Sequence, residues 1–139
     1  MIEFDVIVVG GGHAGIEACH AAARIGCRAA LLTLDRNAIG RMSCNPAIGG
    51  LGKSHITSEV DALGGLQARA TDATGIQFRT LNMGKGPAVR ATRVQCDMDD
   101  FSRWMIRALE RVPDLTIIEG EGDEILTEGG RIAGIRVAA

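Results

Sequence analysis

The opening of the chain changes abruptly from apolar residues to glycine. Residues 4–9 have the nearly continuous hydrophobic character of a strand buried on both faces, and three glycines follow at once. Residues 16–25 are then rich in alanine, as in a helix, and residues 29–34 form a second apolar run. This order of elements predicts a β-α-β unit at the start of the chain.

Helical periodicity returns twice further along the sequence. Residues 54–63 place Ile56, Val60 and Leu63 on one face and end at two glycines, which predicts a short amphipathic helix. Residues 98–111 give the stronger pattern, with Asp97 at the N-cap position and Pro113 after the last turn. The predicted apolar face of that second helix consists of Phe101, Trp104 or Met105, Ala108 and Val112.

The intervening and following segments predict loops and strands. Glycine, asparagine and proline are frequent in residues 36–54 and 83–87, which indicates loops, whereas residues 73–82 indicate a turn and a strand. Residues 115–119 form a third apolar strand after a helix, and a right-handed crossover gives the strand order 3-2-1. Residues 122–127 and 131–137 flank Glu-Gly-Gly, which predicts a hairpin.

Composition narrows the possible classes of protein. The 139 residues are 46% hydrophobic, enough for a compact core, and carry a net charge of −2, so no bulk basic field indicates nucleic-acid binding. No segment has the length of a membrane span and the first strand begins almost at once, so we expect a cytoplasmic protein with no membrane contact. The four cysteines lack metal-ligand spacing, which predicts free thiols and no metal site.

The glycines after the first strand form a dinucleotide-binding pattern. The segment reads Gly10-Gly11-Gly12-His13-Ala14-Gly15, with a strand before it and a helix after it. The first glycine permits the tight turn, Gly12 admits the phosphates to the backbone, and Gly15 allows close packing of helix on strand. The N–H groups and positive dipole end of the helix then face the pyrophosphate.

The residue that holds the ribose is less clearly defined. By spacing it should lie near Thr33, whose hydroxyl offers one hydrogen bond, and the nearest carboxylate is Asp35. The alternative is that Asp35 caps the next turn. The sequence alone does not choose between these two roles. The combined pattern predicts an α/β fold: a doubly wound parallel Rossmann-type sheet interrupted by a β-meander, as in FAD domains of the glutathione-reductase type.

Two further segments carry a family resemblance. They read Arg-Met-Ser-Cys-Asn-Pro-Ala-Ile-Gly-Gly-Leu-Gly-Lys in residues 41–53 and Gly-Lys-Gly-Pro-Ala-Val-Arg-Ala-Thr-Arg in residues 84–93. Together with the glycine pattern they resemble the amino-terminal part of the MnmG (GidA) family of tRNA uridine 5-carboxymethylaminomethyl modification enzymes. The resemblance covers essentially all 139 residues, so we expect residues 1–139 to be the amino-terminal part of one FAD-binding domain, incomplete at its carboxyl end, without a second domain.

The resemblance implies a specific reaction. Family members are homodimers that act with the GTPase MnmE on the wobble uridine (U34) of certain tRNAs. They use FAD, NADH, a methylene-folate, and glycine or ammonium to build the side chain at C5 of the base. Two alternatives are a folate- and FAD-dependent tRNA uridine methyltransferase and a non-catalytic FAD-binding fragment.

The same resemblance suggests roles for individual residues. Cys44 matches a family cysteine proposed to attack uridine, and the alternative is a buried, inert thiol in a loop beside the flavin. Gly122 matches a position whose backbone meets the adenine, although we associate valine with that position in the family. The candidates for contact with substrate or the flavin ring are Asn45, Lys53, Lys85, Arg90 and Arg93. For the four cations the alternative is solvated loop charge.

Overall fold

The computed structural model describes residues 2–138 and divides into two compact units. The first unit comprises residues 1–39 and 108–139, and the second comprises residues 40–107. In chain order the strands are β1 (Val6–Val9), β2 (Ala29–Thr33), β3 (Ala47–Gly49), β4 (Gly75–Leu81), β5 (Ala91–Cys96), β6 (Leu115–Glu119), β7 (Gly122–Glu128) and β8 (Arg131–Val137). The helices are α1 (His13–Arg24), α2 (Lys53–Ala62), α3 (Gln67–Thr74) and α4 (Met98–Leu109), with 3₁₀ turns at Arg36–Ala38 and Pro87–Val89.

The first unit is built on a parallel sheet with the order β1-β2-β6. Strand β2 lies in the middle, and all five of its residues are buried, as expected for a strand with neighbours on both sides. Helix α1 packs on this sheet through a face that includes Ile16 and Cys19, both fully buried. The predicted strand order and α/β class are therefore confirmed.

The hairpin of the first unit also matches its prediction. Strands β7 and β8 pair antiparallel from Gly122 opposite Val137 to Glu128 opposite Arg131. The two residues between them, Gly129 and Gly130, both have positive φ angles, of 57° and 77°. Positive φ at both central positions defines the type I′ turn, whose twist matches that of the two strands.

The second unit contains an antiparallel sheet that was only partly predicted. Its order is β3-β5-β4, and helices α2 and α3 contact it. One face buries Ile48, Val94 and Cys96. The expected loop 36–54 was too coarse, because β3 lies inside it. Residues 83–87 lie in the loop between β4 and β5, as predicted, but β5 itself was not predicted. Helix α3 was not predicted.

Helix α2 exists, but its predicted inward face is wrong. Ile56 and Leu63 are 63% and 83% exposed, and only Val60 of the predicted stripe is half-buried. Ser54 and Thr57 share the half-buried side with Val60. The hydroxyls of Ser54 and Thr57 donate to the carbonyls of Gly50 and Lys53 at 3.1 and 3.0 Å, so these side chains can be half-buried without an unsatisfied polar group.

Helix α4 has the predicted N-cap and a slightly different apolar stripe. The carboxylate of Asp97 accepts hydrogen bonds from the backbone N–H groups of Asp99 and Asp100 at 3.1 and 2.9 Å. Phe101, Met105 and Leu109 are fully buried, so Met105 rather than Trp104 continues the buried row. Trp104, Ala108 and Val112 are half-buried beside that row. No helix in residues 2–138 combines the length and hydrophobicity needed to cross a bilayer.

Candidate functional site

The turn between β1 and α1 depends on two glycines for its shape. Gly10 has a φ angle of +106°, which residues with side chains rarely adopt, and its N–H donates to Leu32 at 2.8 Å. A Cβ atom on Gly15 would overlap the carbonyl oxygen of Gly10 and lie 3.5 Å from Val8 Cγ1. The lack of a side chain at Gly15 therefore lets the helix approach the strand, as the sequence pattern predicts.

Gly12 is glycine for neither of these reasons. Its φ of −74° and ψ of 176° are extended backbone that any residue adopts, and a Cβ atom there would meet nothing within 4 Å. It is the N-cap of α1, it makes no side-chain cap, and its carbonyl accepts the first helical bond, from Ile16 at 2.9 Å. The open space beside Gly12 thus adjoins the first turn of a twelve-residue helix, where backbone N–H groups lack helical partners. His13 and Ala14 begin that turn.

The two candidate ribose residues have different surroundings. Asp35 accepts a hydrogen bond from the N–H of Asn37 at 2.8 Å, so its carboxylate caps the 3₁₀ turn that follows β2. Thr33 is buried, and its hydroxyl donates to the carbonyl of Asp35 at 3.3 Å. A Cβ atom on Gly11 would lie 3.1 Å from that hydroxyl, so Thr33 adjoins the glycine turn. The capping role of Asp35 is confirmed, and Thr33 is left as the candidate nearer the turn.

Gly122 lies at the start of β7, close to the sheet. A Cβ atom at this position would lie 2.7 Å from Ile135 Cδ1 and 3.2 Å from Leu32 Cδ2. A valine here would displace the ends of these flexible side chains. The acid at the end of β6, Glu119, accepts a hydrogen bond from the N–H of Arg36 at 2.8 Å. Glu119 was not singled out in the sequence, and only its position at the end of a predicted strand could have signalled it.

The cysteine loop belongs to the second unit and is exposed. Cys44 is an exposed free thiol between Ser43 and Asn45. The Asn45 carbonyl accepts from the N–H of Ala47 at 2.8 Å, and its side-chain oxygen accepts from the guanidinium of Arg93 at 3.2 Å. Cys44 is therefore not the buried thiol of the alternative interpretation, and its neighbour is held by a cation of the adjacent strand.

A cavity of about 510 Å³ lies beside this loop, entirely within the second unit. Three of the candidate residues line this cavity: Asn45, Lys53 and Arg93. Ser43, which directly precedes Cys44 in the sequence, lines it as well. Cys44 itself lies between two lining residues in sequence but does not line the cavity. Arg93 is part of β5 and not of a loop, so solvated loop charge does not describe this cation.

Lys85 and Arg90 occupy the hairpin loop between β4 and β5 and do not line that cavity. The guanidinium of Arg90 donates to the Met83 carbonyl at 3.3 Å, and the N–H of Lys85 donates to Asn82 at 3.0 Å. Arg79, which was not among the candidates, lies on β4 directly opposite Arg93. An alternating Gln-x-Arg pattern in a predicted strand is the signal that could have found it.

The other cysteines differ from Cys44 in their surroundings. Cys19 is fully buried on the face of α1 that packs on the sheet, and this burial raises the pKa of its thiol to about 11. Burial also raises the pKa of Cys96, outweighing hydrogen bonds with Thr74 and Thr71. Because the thiolate is the nucleophile, burial and a raised pKa make Cys19 and Cys96 poor candidates for a nucleophile. All four cysteines are free, as predicted.

Comparison with known proteins connects these features to one family. The family model described as Glucose inhibited division protein A matches residues 5–139. The tRNA uridine 5-carboxymethylaminomethyl modification enzyme MnmG of Wolinella succinogenes is 54% identical over 136 residues, which is 98% of this chain and 22% of that protein. The chain therefore spans about a fifth of the length of this relative.

Solved structures agree with the family match. The form II crystal structure of Aquifex aeolicus GidA superposes with a TM-score of 0.93 at 47% identity, covering 97% of this chain and 22% of that one. A variant of Pseudomonas aeruginosa PqsL superposes with a TM-score of 0.68 at 15% identity, covering 96% of this chain and 38% of that one. The second similarity concerns the fold alone.

Proposed function

Because the chain belongs to the Glucose inhibited division protein A (GidA) family, we propose that it is the FAD-binding part of a tRNA-modifying enzyme. The reaction is the addition of a carboxymethylaminomethyl group at C5 of the wobble uridine, U34, together with the GTPase MnmE. The similarity to MnmG of Wolinella succinogenes supports this assignment. We further propose that residues 1–139 belong to the amino-terminal part of one FAD-binding domain.

The observation that carries the FAD assignment is the environment of Gly12. Neither its backbone conformation nor any atom of the described chain within 4 Å requires a glycine. A ligand that approaches the backbone does require one, and the adjoining helix terminus offers N–H groups and a positive dipole end. These features suit the pyrophosphate of a dinucleotide. Gly10, Gly11, His13, Ala14 and Gly15 complete this cradle, with Thr33 toward the ribose and Gly122 toward the adenine.

FAD supplies redox chemistry to the reaction, and the second unit supplies the side chains proposed to act on the base. Cys44 is the candidate nucleophile. Its thiolate would form a bond to C6 of the uracil, the C5–C6 double bond would break, and the electron pair would move to C5, which becomes nucleophilic. Exposure of Cys44 permits this contact, and Arg93 fixes the adjacent Asn45. Lys53, Lys85, Arg90 and Arg93 are proposed to meet anionic groups of substrate or flavin.

The remaining parts of the proposal come from the family resemblance. They are NADH as reductant, a methylene-folate as one-carbon donor, glycine or ammonium as the amine source, a homodimer and a cytoplasmic location. None of these is assigned to particular residues of this chain.

The FAD proposal is tested by Gly12→Ser. A serine hydroxyl at an N-cap accepts from the first helical N–H groups, so we expect the melting temperature without FAD to be unchanged or higher. The same side chain enters the open space beside Gly12, so FAD affinity should fall by about tenfold or more, equivalent to roughly 1.4 kcal/mol. Thermal denaturation and titration with FAD, followed by quenching of flavin fluorescence, measure the two quantities.

The control for Gly12→Ser is Gly134→Ser in β8. Gly134 also has open space around its Cβ position and no positive φ angle. This control should leave FAD affinity unchanged. Unaltered FAD affinity in Gly12→Ser itself would show that the pyrophosphate does not lie at this turn.

The reaction is tested by Cys44→Ser in the complete gene product. A serine hydroxyl is a much weaker nucleophile than a thiolate, so modified U34 should disappear from tRNA while bound FAD is retained. Mass spectrometry of tRNA nucleosides from cells lacking the native gene gives the first quantity, and flavin absorbance gives the second. Cys27→Ser is the matched control, because Cys27 is a half-buried thiol just after α1. Normal modification by Cys44→Ser would remove Cys44 from the reaction.

A further inference from the structure

The sheet of the second unit and its loops contain no acidic residue. Residues 40–58 and 73–96 have not one Asp or Glu, although acids make up 17 of the 139 residues of the chain. The same two segments carry Arg41, Lys53, Arg79, Lys85, Arg90 and Arg93. The net charge of −2 conceals this separation, because the acids lie in other segments.

Two of these cations face each other on the sheet. Strands β4 and β5 place Arg79 directly opposite Arg93, and Gln77 directly opposite Gln95. Directly opposite residues of an antiparallel pair point to the same face, with Cβ atoms about 5 Å apart. Among residues 2–138, no ion pair involves Arg79, and the hydrogen bond from Arg93 goes to the neutral amide of Asn45. Like charges in this arrangement destabilise a sheet unless something anionic lies between them.

The face that carries the two arginines is open and grooved. A cavity of about 240 Å³ is lined by both arginines and both glutamines, together with Ala47 and Leu81. The larger cavity of about 510 Å³ shares Ala47, Leu81 and Arg93 with it, and reaches Asn45 and Lys53. The two cavities are therefore neighbouring parts of one groove across the sheet. We call this surface the arginine groove.

We propose that the arginine groove binds the phosphate backbone of an RNA strand; this inference rests on the proposed action on tRNA. Guanidinium groups offer paired donors that match phosphate oxygens, and Gln77, Gln95 and Asn45 add neutral side-chain amides. Arg79 and Arg93 would contact the RNA backbone and not the reacting base. They are therefore RNA-binding residues and not catalytic ones.

The composition of the groove also indicates how it recognises RNA. No aromatic residue lines either cavity, so bases have no ring on which to stack. Binding should therefore depend on phosphate contacts, with strong salt dependence and little sequence preference. Two adjoining cavities suit a chain of successive phosphates better than one small anion.

The test replaces Arg79 with glutamine in the complete gene product. Each phosphate contact that is lost should lower affinity by about fivefold near 0.1 M salt, and should reduce the slope of log affinity against log salt by about 0.7. The probe is a fluorescein-labelled anticodon stem-loop RNA containing U34, and fluorescence anisotropy is measured over a series of KCl concentrations. Arg131→Gln is the control, since Arg131 is an exposed strand arginine of the first unit.

A second variant separates binding from folding. Arg79→Glu places an acid opposite Arg93, which should raise the melting temperature or leave it unchanged while weakening RNA binding more than Arg79→Gln does. A merely structural role for Arg79 predicts lower melting temperatures instead. FAD affinity should be unchanged in both variants.

Three results would overturn the inference. They are unchanged RNA affinity and salt slope in Arg79→Gln, an equal loss in Arg131→Gln, and a loss of FAD or tetrahydrofolate affinity in place of RNA affinity. The last result would assign the groove to a small anion. Since the Gly12→Ser experiment measures FAD at the glycine turn, the proposed function and the arginine groove can fail separately.

Discussion

The two units differ in charge and in the kind of group that would meet a ligand. The first unit has six Lys or Arg residues against eleven Asp or Glu, whereas the second has nine against six. In the acidic first unit, the candidate site consists of backbone N–H groups at a glycine turn. In the basic second unit, it consists of side chains on a sheet and a loop. Anionic ligands can thus be met by backbone dipoles where the net charge is unfavourable, and by cations where it is favourable.

The units nevertheless share one packing device. Each has a glycine whose missing Cβ makes room for a carbonyl oxygen. In the first unit the carbonyl oxygen of Gly10 lies against Gly15, and in the second unit that of Thr92 lies against Gly49. Gly49 also has a φ angle of +94°, which adds conformational strain to any substitution. The same glycine-to-alanine substitution can therefore be made in both units and its effects compared.

The largest effect is expected from Gly15→Ala and Gly49→Ala. Each new methyl group overlaps backbone that cannot move away by rotating a side chain, so each should lower the free energy of unfolding by about 3 kcal/mol. Gly15→Ala should weaken FAD binding more than RNA binding. Gly49→Ala should weaken RNA binding more than FAD binding. Hydrogen exchange followed by mass spectrometry should show faster exchange mainly in the unit that carries the substitution.

Gly134→Ala is the control for both substitutions, because its Cβ atom would meet nothing within 4 Å. Its unfolding free energy should change by less than about 1 kcal/mol. Equal exchange increases throughout the chain in Gly15→Ala would contradict the division into two units.

A smaller effect is expected from the acids of the first unit, which serve its fold. Asp5 accepts from the N–H of Arg28 at 2.7 Å and pairs with its guanidinium at 3.4 Å, and these contacts lower the pKa of Asp5 from its usual value. A lowered pKa in the folded state stabilises the protein above the unfolded-state pKa, and this gain is lost as the pH falls through the folded-state value. Asp5→Asn should therefore lower the melting temperature slightly at pH 7, and the difference from the unsubstituted protein should shrink as the pH falls from about 5 to about 2.

The control for Asp5→Asn is Asp123→Asn, an exposed acid in β7. It should give the same melting temperature as the unsubstituted protein at both ends of the pH range. If the melting temperature of Asp5→Asn differs from that of the unsubstituted protein by the same amount at every pH, the charge of Asp5 does not account for its stabilising effect.

Much of the first unit could be predicted because its signals are local. Strand β2 is apolar at four of its five positions, α1 follows a glycine turn directly, and the β7–β8 hairpin is marked by two glycines in sequence. Each signal lies within a few residues of the element that it predicts. The strand order then followed from the handedness of crossover connections.

The second unit was harder to predict because its sheet depends on distant pairing. Strand β3 has only three residues and pairs with β5, more than forty residues away. Strand β5 reads Ala-Thr-Arg-Val-Gln-Cys, so its exposed face carries Arg93 and Gln95 and no apolar run marks it. In α2, half-buried hydroxyl groups replaced the expected apolar stripe.

The candidate site follows the same division. The roles of Gly10 and Gly15 in the turn could be predicted from spacing, because they depend on adjacent backbone. The grouping of cations could not, since Arg93 and Lys53 share a cavity with Asn45 while Lys85 and Arg90 lie elsewhere. Arg79 became a candidate through its register with Arg93 in the folded sheet.

The space beside Gly12 has a practical consequence for protein engineering. Selection for heat resistance in the absence of flavin would favour serine at this position, since it gains an N-cap and meets no steric obstacle. The surviving variants would be more stable to heat but would no longer hold the yellow flavin. A stabilisation campaign on this chain should therefore include FAD at every round, or hold Gly12 fixed.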